Sequence, residues 1–234
     1  VNFILNDMKK LWIVTELFYP EETSTAFILT KVANALSDKF DVNVICGPES
    51  YGRAALEDNP STKLSLDGRI KIHRVSNCNL NKDKIFTRLL RFLIIGFKLS
   101  FSLWKNAKKQ DRVFIVTNPA PLLISVALIK RIKKFPLYIL VHDVFPENTI
   151  PAGVISSDKT FGYKLLRKCF NWAYKSADCL IVLGRDMRQI MKSKLGKNQN
   201  NTKIEIIENW AENDIAQLNP MNKSKNIVIQ YAGN

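Results

Sequence analysis

Leu137-Tyr138-Ile139-Leu140-Val141, a loop rich in Pro and Asn, a helical stretch from Lys159 to Lys175, and then Cys179-Leu180-Ile181-Val182-Leu183: this passage decides the fold. Both apolar runs are continuous rather than alternating, as expected of parallel strands buried on both faces. A helix-length segment between two such runs reads as a βαβ unit. The same unit recurs outward in both directions. Upstream, Leu11–Val14, Val42–Cys46, Ile70–Val75 and Val113–Val116 read as strands; Ser24–Ser37, Lys84–Lys109 and a segment opening at Pro119–Pro121 read as helices. Downstream, Arg185–Lys194 is helical and Ile204–Ile207 is a seventh strand. The expected fold class is α/β, a Rossmann-like parallel sheet of about seven strands with helices on both faces.

The chain has 234 residues, a formal charge of +14 and 46% hydrophobic residues, so disorder is excluded and an anionic partner is implied. Four cysteines, Cys46, Cys78, Cys169 and Cys179, form no Cys-x-x-Cys pair and read as buried reduced thiols. With two histidines, His73 and His142, a zinc site would lack ligands, and no metal is expected. Residues 1–7 precede Met8-Lys9-Lys10 and read as an extension or scar; residues 8–225 read as the Rossmann-like domain. Asn226–Tyr231 reads as a further strand running into Ala232-Gly233-Asn234. It is either a last strand of this sheet or the start of a second, truncated domain, over residues 226–234.

In an open parallel sheet, ligands bind outside the carboxyl ends of the strands. Those loops hold Glu16, Tyr19, Glu21, Glu22, Thr23, Ser24 and Thr25 after the first strand, and Asn118 after the fourth. After the fifth come His142, Asp143 and Glu147; Arg185 follows the sixth, and Glu208, Asn209, Trp210 and Glu212 the seventh. Carboxylates crowd this rim although the chain is basic, which suits the orientation of hydroxyl-rich molecules such as sugars. Loop polarity by itself is the competing reading. No Gly-x-Gly-x-x-Gly follows the first strand and no Gly-x-x-x-x-Gly-Lys occurs, so dinucleotide and P-loop readings are poor. Thr23-Ser24-Thr25 sits at a helix start, where it can cap the helix or meet an anion. His142 is the candidate proton carrier, with Asp143 fixing its tautomer or acting itself. His73, inside the third strand, reads as structural.

The helix over 84–109 is unusual. Spaced about 100° per residue, Lys84, Arg88, Arg91, Lys98, Lys105 and Lys109 fall within an arc of roughly 100°, and the remainder is almost wholly apolar. Charges interrupt it too often for a membrane span. An apolar surface wider than a sheet-covering stripe, carrying Phe97, Phe101 and Trp104, reads as docking on an anionic membrane surface through Arg88, Arg91, Lys98, Trp104 and Lys105. Simple burial is the competing reading.

Phe18-Tyr19-Pro20-Glu21, His142-Asp143-Val144-Phe145-Pro146-Glu147, Ala177–Leu183, Ile206-Ile207-Glu208-Asn209-Trp210 and Tyr231-Ala232-Gly233-Asn234 form one ordered series. It resembles family 4 glycosyltransferases of the GT-B fold, in the branch that builds bacterial capsule, O-antigen and exopolysaccharide and includes fucosamine-transferase-like enzymes. The resemblance implies a two-domain enzyme. This half would hold the acceptor, commonly a polyprenyl-pyrophosphate-linked saccharide, and the other half most of a nucleotide-sugar donor. Transfer would proceed with retention and without a required metal or bound cofactor, on the inner face of the cytoplasmic membrane. Tyr231–Asn234 would open the donor domain, and the half alone would be inactive. Many relatives carry Gly-Gly in the first loop, where this chain has Glu22-Thr23-Ser24-Thr25, and many differ at His142; Asp143 and Glu147 match better, and His142, Asp143 and Glu147 are the catalytic candidates. Two other classes remain open from the residues: a basic nucleic-acid-binding α/β module, and an interaction domain without chemistry.

Overall fold

The computed structural model describes residues 8–21, 23–49, 65–76, 85–196 and 202–210, apart from the side chains of residues 85, 86 and 88. Glu22, Cys78, Glu212, the side chain of Arg88 and the stretches 1–7 and 226–234 singled out above lie outside the described set.

Seven parallel strands stand in the order β3-β2-β1-β4-β5-β6-β7. They are β1 (Lys10–Val14), β2 (Asp41–Cys46), β3 (Lys71–Arg74), β4 (Arg112–Val116), β5 (Leu137–Val141), β6 (Cys179–Val182) and β7 (Lys203–Ile206). The helices are α1 (Ser24–Leu36), α2 (Ile85–Asn106), α3 (Pro121–Lys133), α4 (Phe161–Lys175) and α5 (Arg185–Leu195). The Rossmann-like reading holds; most boundaries move by a residue, β3 is shorter than expected at both ends, and two helix boundaries move where a side chain sets the limit. Helix α2 ends at Asn106 rather than running to Lys109, because Asp111 Oδ2 accepts the Lys108 amide at 2.9 Å and closes the turn. The same oxygen accepts the buried Trp12 indole N–H at 3.0 Å. Helix α4 starts at Phe161 rather than Lys159, because Thr160 caps it by accepting the Tyr163 amide.

Alternate residues of each strand enter opposite cores, as the pleat requires. Trp12, Val14, Val113, Ile115, Leu137, Ile139 and Leu180 pack under α2, α3, α4 and α5. Leu11, Ile13, Val42, Val44, Phe114 and Val116 pack under α1 through Leu29 and Ala33. This division follows from handedness. The chain steps from β1 to β2 in one direction and from β4 to β7 in the other, so right-handed crossovers place α1 on one face and α3, α4 and α5 on the other. Among the described residues the α1 face is consequently thinly covered over β4, β5 and β6. A groove of about 470 Å³ opens there, between Ile28 and Val32 of α1 and Phe114, Tyr138, Leu140 and Ile181 of the sheet. Cys46 is buried, and burial pushes its thiol up to about 11; Cys169 and Cys179 are only half-buried, since they lie at the rim of the α4 layer and on a strand near the sheet edge.

Candidate functional site

The carboxyl ends of β1, β2, β3, β4 and β5 converge on one rim, and two clusters of polar side chains occupy it. The first joins the loops after β1 and β2. Glu16 is nearly buried, and its carboxylate accepts a hydrogen bond from Arg91 of α2 at 3.1 Å. Gly47 donates its amide to the Glu16 carbonyl at 2.9 Å, so close that an added Cβ would stand 2.6 Å from that oxygen. Arg74, the last residue of β3, spans the cluster: it donates to the carbonyls of Tyr19 and Gly47 and lies 3.4 Å from Glu49. Nothing in the rim reading singled out Arg74. Its signal was positional, an arginine at the end of a strand whose side chain must meet the loops beside it. Glu21 is buried at 3% exposure. Thr23 caps α1 by accepting the Ala26 amide at 3.3 Å, Ser24 is exposed and Thr25 half-buried in the first turn.

The second cluster is built around the loop after β5. Thr117, fully buried at the end of β4, accepts the amides of both His142 and Asp143 through its one hydroxyl, at 3.1 and 2.9 Å. These two bonds turn the chain out of β5 and set both side chains at the rim. Asp143 Oδ1 accepts the side-chain amide of Asn148 at 2.8 Å. The His142 ring is partly buried; its Nε2 is shielded from solvent and has no hydrogen-bond partner among the described residues. Burial lowers its pKa below the ordinary 6.5, and the neighbouring Asp143 charge opposes that shift. The imidazole is therefore neutral at neutral pH, the form that can accept a proton.

The far end of this loop is tied down by groups that the sequence did not mark. Lys194 of α5 has a buried side chain whose ammonium donates to the Phe145 carbonyl at 3.0 Å and to Asn171 Oδ1 of α4 at 3.2 Å. Both Glu147 carboxylate oxygens lie 2.7–2.8 Å from it. The buried Tyr174 hydroxyl accepts the Phe145 amide at 3.2 Å, and the Phe145 and Phe170 rings stack. Lys194 falls in the last turn of a polar helix, where a lysine ordinarily serves the helix end. Only the packing shows that it turns inward.

The remaining rim residues are placed as follows. Asn118 is half-buried beside Thr117, and Arg185 is exposed at the start of α5. Glu208, Asn209 and Trp210 border the groove on the α1 face. Of the residues read as membrane-facing, Lys105 sits over the Phe101 ring and Trp104 is partly exposed beneath Lys133. Arg91 is engaged at the rim by Glu16, and Lys98 donates to Ser76. Among the described residues no group of three or more His, Cys, Asp or Glu is gathered as a metal site would need. No helix among them is long and apolar enough to cross a membrane.

The model of the family described as Glycosyltransferase Family 4 matches residues 28–214. A probable glycosyltransferase, WbjE of Pseudomonas aeruginosa, is 34% identical over 205 residues, which cover 87% of this chain and 48% of WbjE. The chain thus spans about half the length of that curated relative. Among solved structures, TcCGT1 in complex with UDP matches 97% of this chain and 54% of its own with a TM-score of 0.52 at 10% identity. Phytolacca americana UGT2, complexed with UDP-2fluoro-glucose and pterostilbene, matches 87% of this chain and 55% of its own with a TM-score of 0.51 at 13% identity. At such identities the likeness is one of fold. The sequence match covers most of the chain, including the loops after β4, β5 and β6, and on that ground the chain belongs to glycosyltransferase family 4.

Proposed function

We propose that this chain is the acceptor-side half of a glycosyltransferase that moves a sugar from a nucleotide-sugar donor to a lipid-linked or saccharide acceptor in cell-surface polysaccharide synthesis. The observation that carries the reading is the His142-Asp143 pair, set at the sheet's carboxyl rim by the Thr117 hydroxyl, with a neutral, partly buried imidazole whose Nε2 is shielded from solvent and has no hydrogen-bond partner among the described residues. Such a group can accept or return a proton at an acceptor hydroxyl while Asp143 orients the site and favours positive charge on the ring. UDP in the structure of TcCGT1 and UDP-2fluoro-glucose in that of UGT2 support the donor class. On this reading residues 226–234 open a donor domain, the sugar is a hexose or aminosugar, and transfer is retaining and independent of metal.

The acceptor's lipid would bring the protein to the inner face of the cytoplasmic membrane. Helix α2 supports that part. Going round it at about 100° per residue, Gly96 and Ser100 face α3, Leu93, Trp104, Phe97 and Phe101 follow, and Lys105 and Lys98 come next. Phe97 is 69% and Phe101 48% exposed, which burial against the sheet does not explain.

The test expresses the gene to its natural stop codon and incubates the protein with labelled nucleotide sugars and a polyprenyl-pyrophosphate-linked saccharide. Transfer of label to the organic phase is expected, reduced about 10²–10⁴-fold in His142→Ala or Asp143→Ala. No transfer from any donor, or undiminished transfer by both variants, would sink the reading.

A further inference from the structure

Glu147 matches the family series and read as catalytic from its position, yet its carboxylate is closed on a lysine that reaches it from beneath the loop. A buried ammonium is costly unless its donors are satisfied. Here three different acceptors meet it: the Phe145 carbonyl, Asn171 of α4 and Glu147. The Tyr174 ring lies 5.7 Å from Nζ. Around Lys194, therefore, the loop after β5, α4 and α5 meet at a single charge. Two of its acceptors belong to the loop that carries His142 and Asp143, and the third belongs to α4.

We propose that Lys194 is the positioning residue of the site, pinning Phe145 and Glu147 to α4 and α5 so that the start of the same loop presents His142 and Asp143 at a fixed height above the rim. Glu147 then acts through this pair rather than on substrate. The opposite end of the loop is held by Thr117, so the segment is fastened at both ends and its side chains between them are preorganised. This rests on the transferase reading for its purpose. Its geometry can be tested without that reading.

The chain has two histidines, which makes the test clean. His73 lies on β3, with its ring against Trp12 and its Nε2 3.3 Å from Asn43 Oδ1, and serves as an internal reference. In proton–carbon correlation spectra of the 234-residue chain, Lys194→Met is expected to shift or broaden the His142 ring signal and leave that of His73 in place. Glu147→Gln keeps the side chain's size at a partly exposed position and is expected to give a smaller shift of the same signal. It decides the question if the first variant does not fold. In the transfer assay with the complete polypeptide, Lys194→Met should lower kcat by about ten- to a hundredfold, the scale on which a misplacement of ~1 Å acts, with KM for the donor within about twofold. Unmoved His142 signals in both folded variants, or equal movement of His73, overturn the proposal. A wild-type protein that transfers no sugar overturns the functional reading instead, while the spectra still judge Lys194.

Discussion

Thr117 shows how much a single hydroxyl can decide at the residue scale. It is fully buried and accepts two consecutive amides, those of His142 and Asp143. Thr117→Val keeps the shape and leaves both donors without that partner, a loss of about 1–3 kcal/mol for an unsatisfied buried group. Urea denaturation should show this as a lower midpoint at unchanged slope. His142 carries a second expectation. Its pKa is lowered by burial, and that of His73 is lowered by burial with help from Lys10 and Lys71. Below pH 6.5 the unfolded chain therefore binds more protons at these sites than the folded one, so stability rises with pH through that window. The cost is fully present below the folded-state values and absent above about pH 6.5. Denaturation midpoints measured on either side of the window should rise with pH, and His142→Gln should remove part of the slope. A midpoint that falls as pH rises through the window would contradict the assignment.

At the scale of elements, α2 is the instructive case. Its basic stripe and its broad apolar surface were both legible as periodicity, because 22 residues of helix present every side chain at a known angle. Periodicity could not tell which of these residues were already engaged. Arg91 is taken by Glu16 and Lys98 by Ser76, partners that lie 75 and 22 residues away in the chain. Lys105 remains exposed over the Phe101 ring, and the Phe97 and Phe101 rings stack on the outer surface. Phe97→Ser should accordingly change stability by no more than about 0.5 kcal/mol, as surface substitutions do. Flotation with vesicles containing anionic lipid should fall for Phe97→Ser and for Lys105→Glu. Equal flotation by both variants, or none by the wild type, would leave the exposed arc without a lipid partner.

Across the whole molecule, the sheet order predicts where the structure opens. β1, β4 and β5 form the centre of the sheet, with β2 and β6 outside them, whereas β3 and β7 are edges without a fully buried residue. Native-state hydrogen exchange should be slowest in β1, β4 and β5 and fastest in β3 and β7. Slow exchange in β7 would show that something beyond the described residues covers that edge. The net charge also acquires an address at this scale. Part of it sits in the last turns of α3 and α5, as Arg131, Lys133 and Lys192, beside helix carbonyl ends that favour cations. What the sequence by itself determined was the alternation of strands and helices, the parallel sheet and the identity of the rim loops. Those follow from local periodicity and from the rule that strand carboxyl ends share one side. Only the tertiary structure decided that Thr117 holds His142 and Asp143, that Arg74 clasps the first loops, and that Lys194 turns inward to Glu147. Each of these depends on which side chains distant in sequence are brought within hydrogen-bond reach, and on how deeply they are buried when they arrive there.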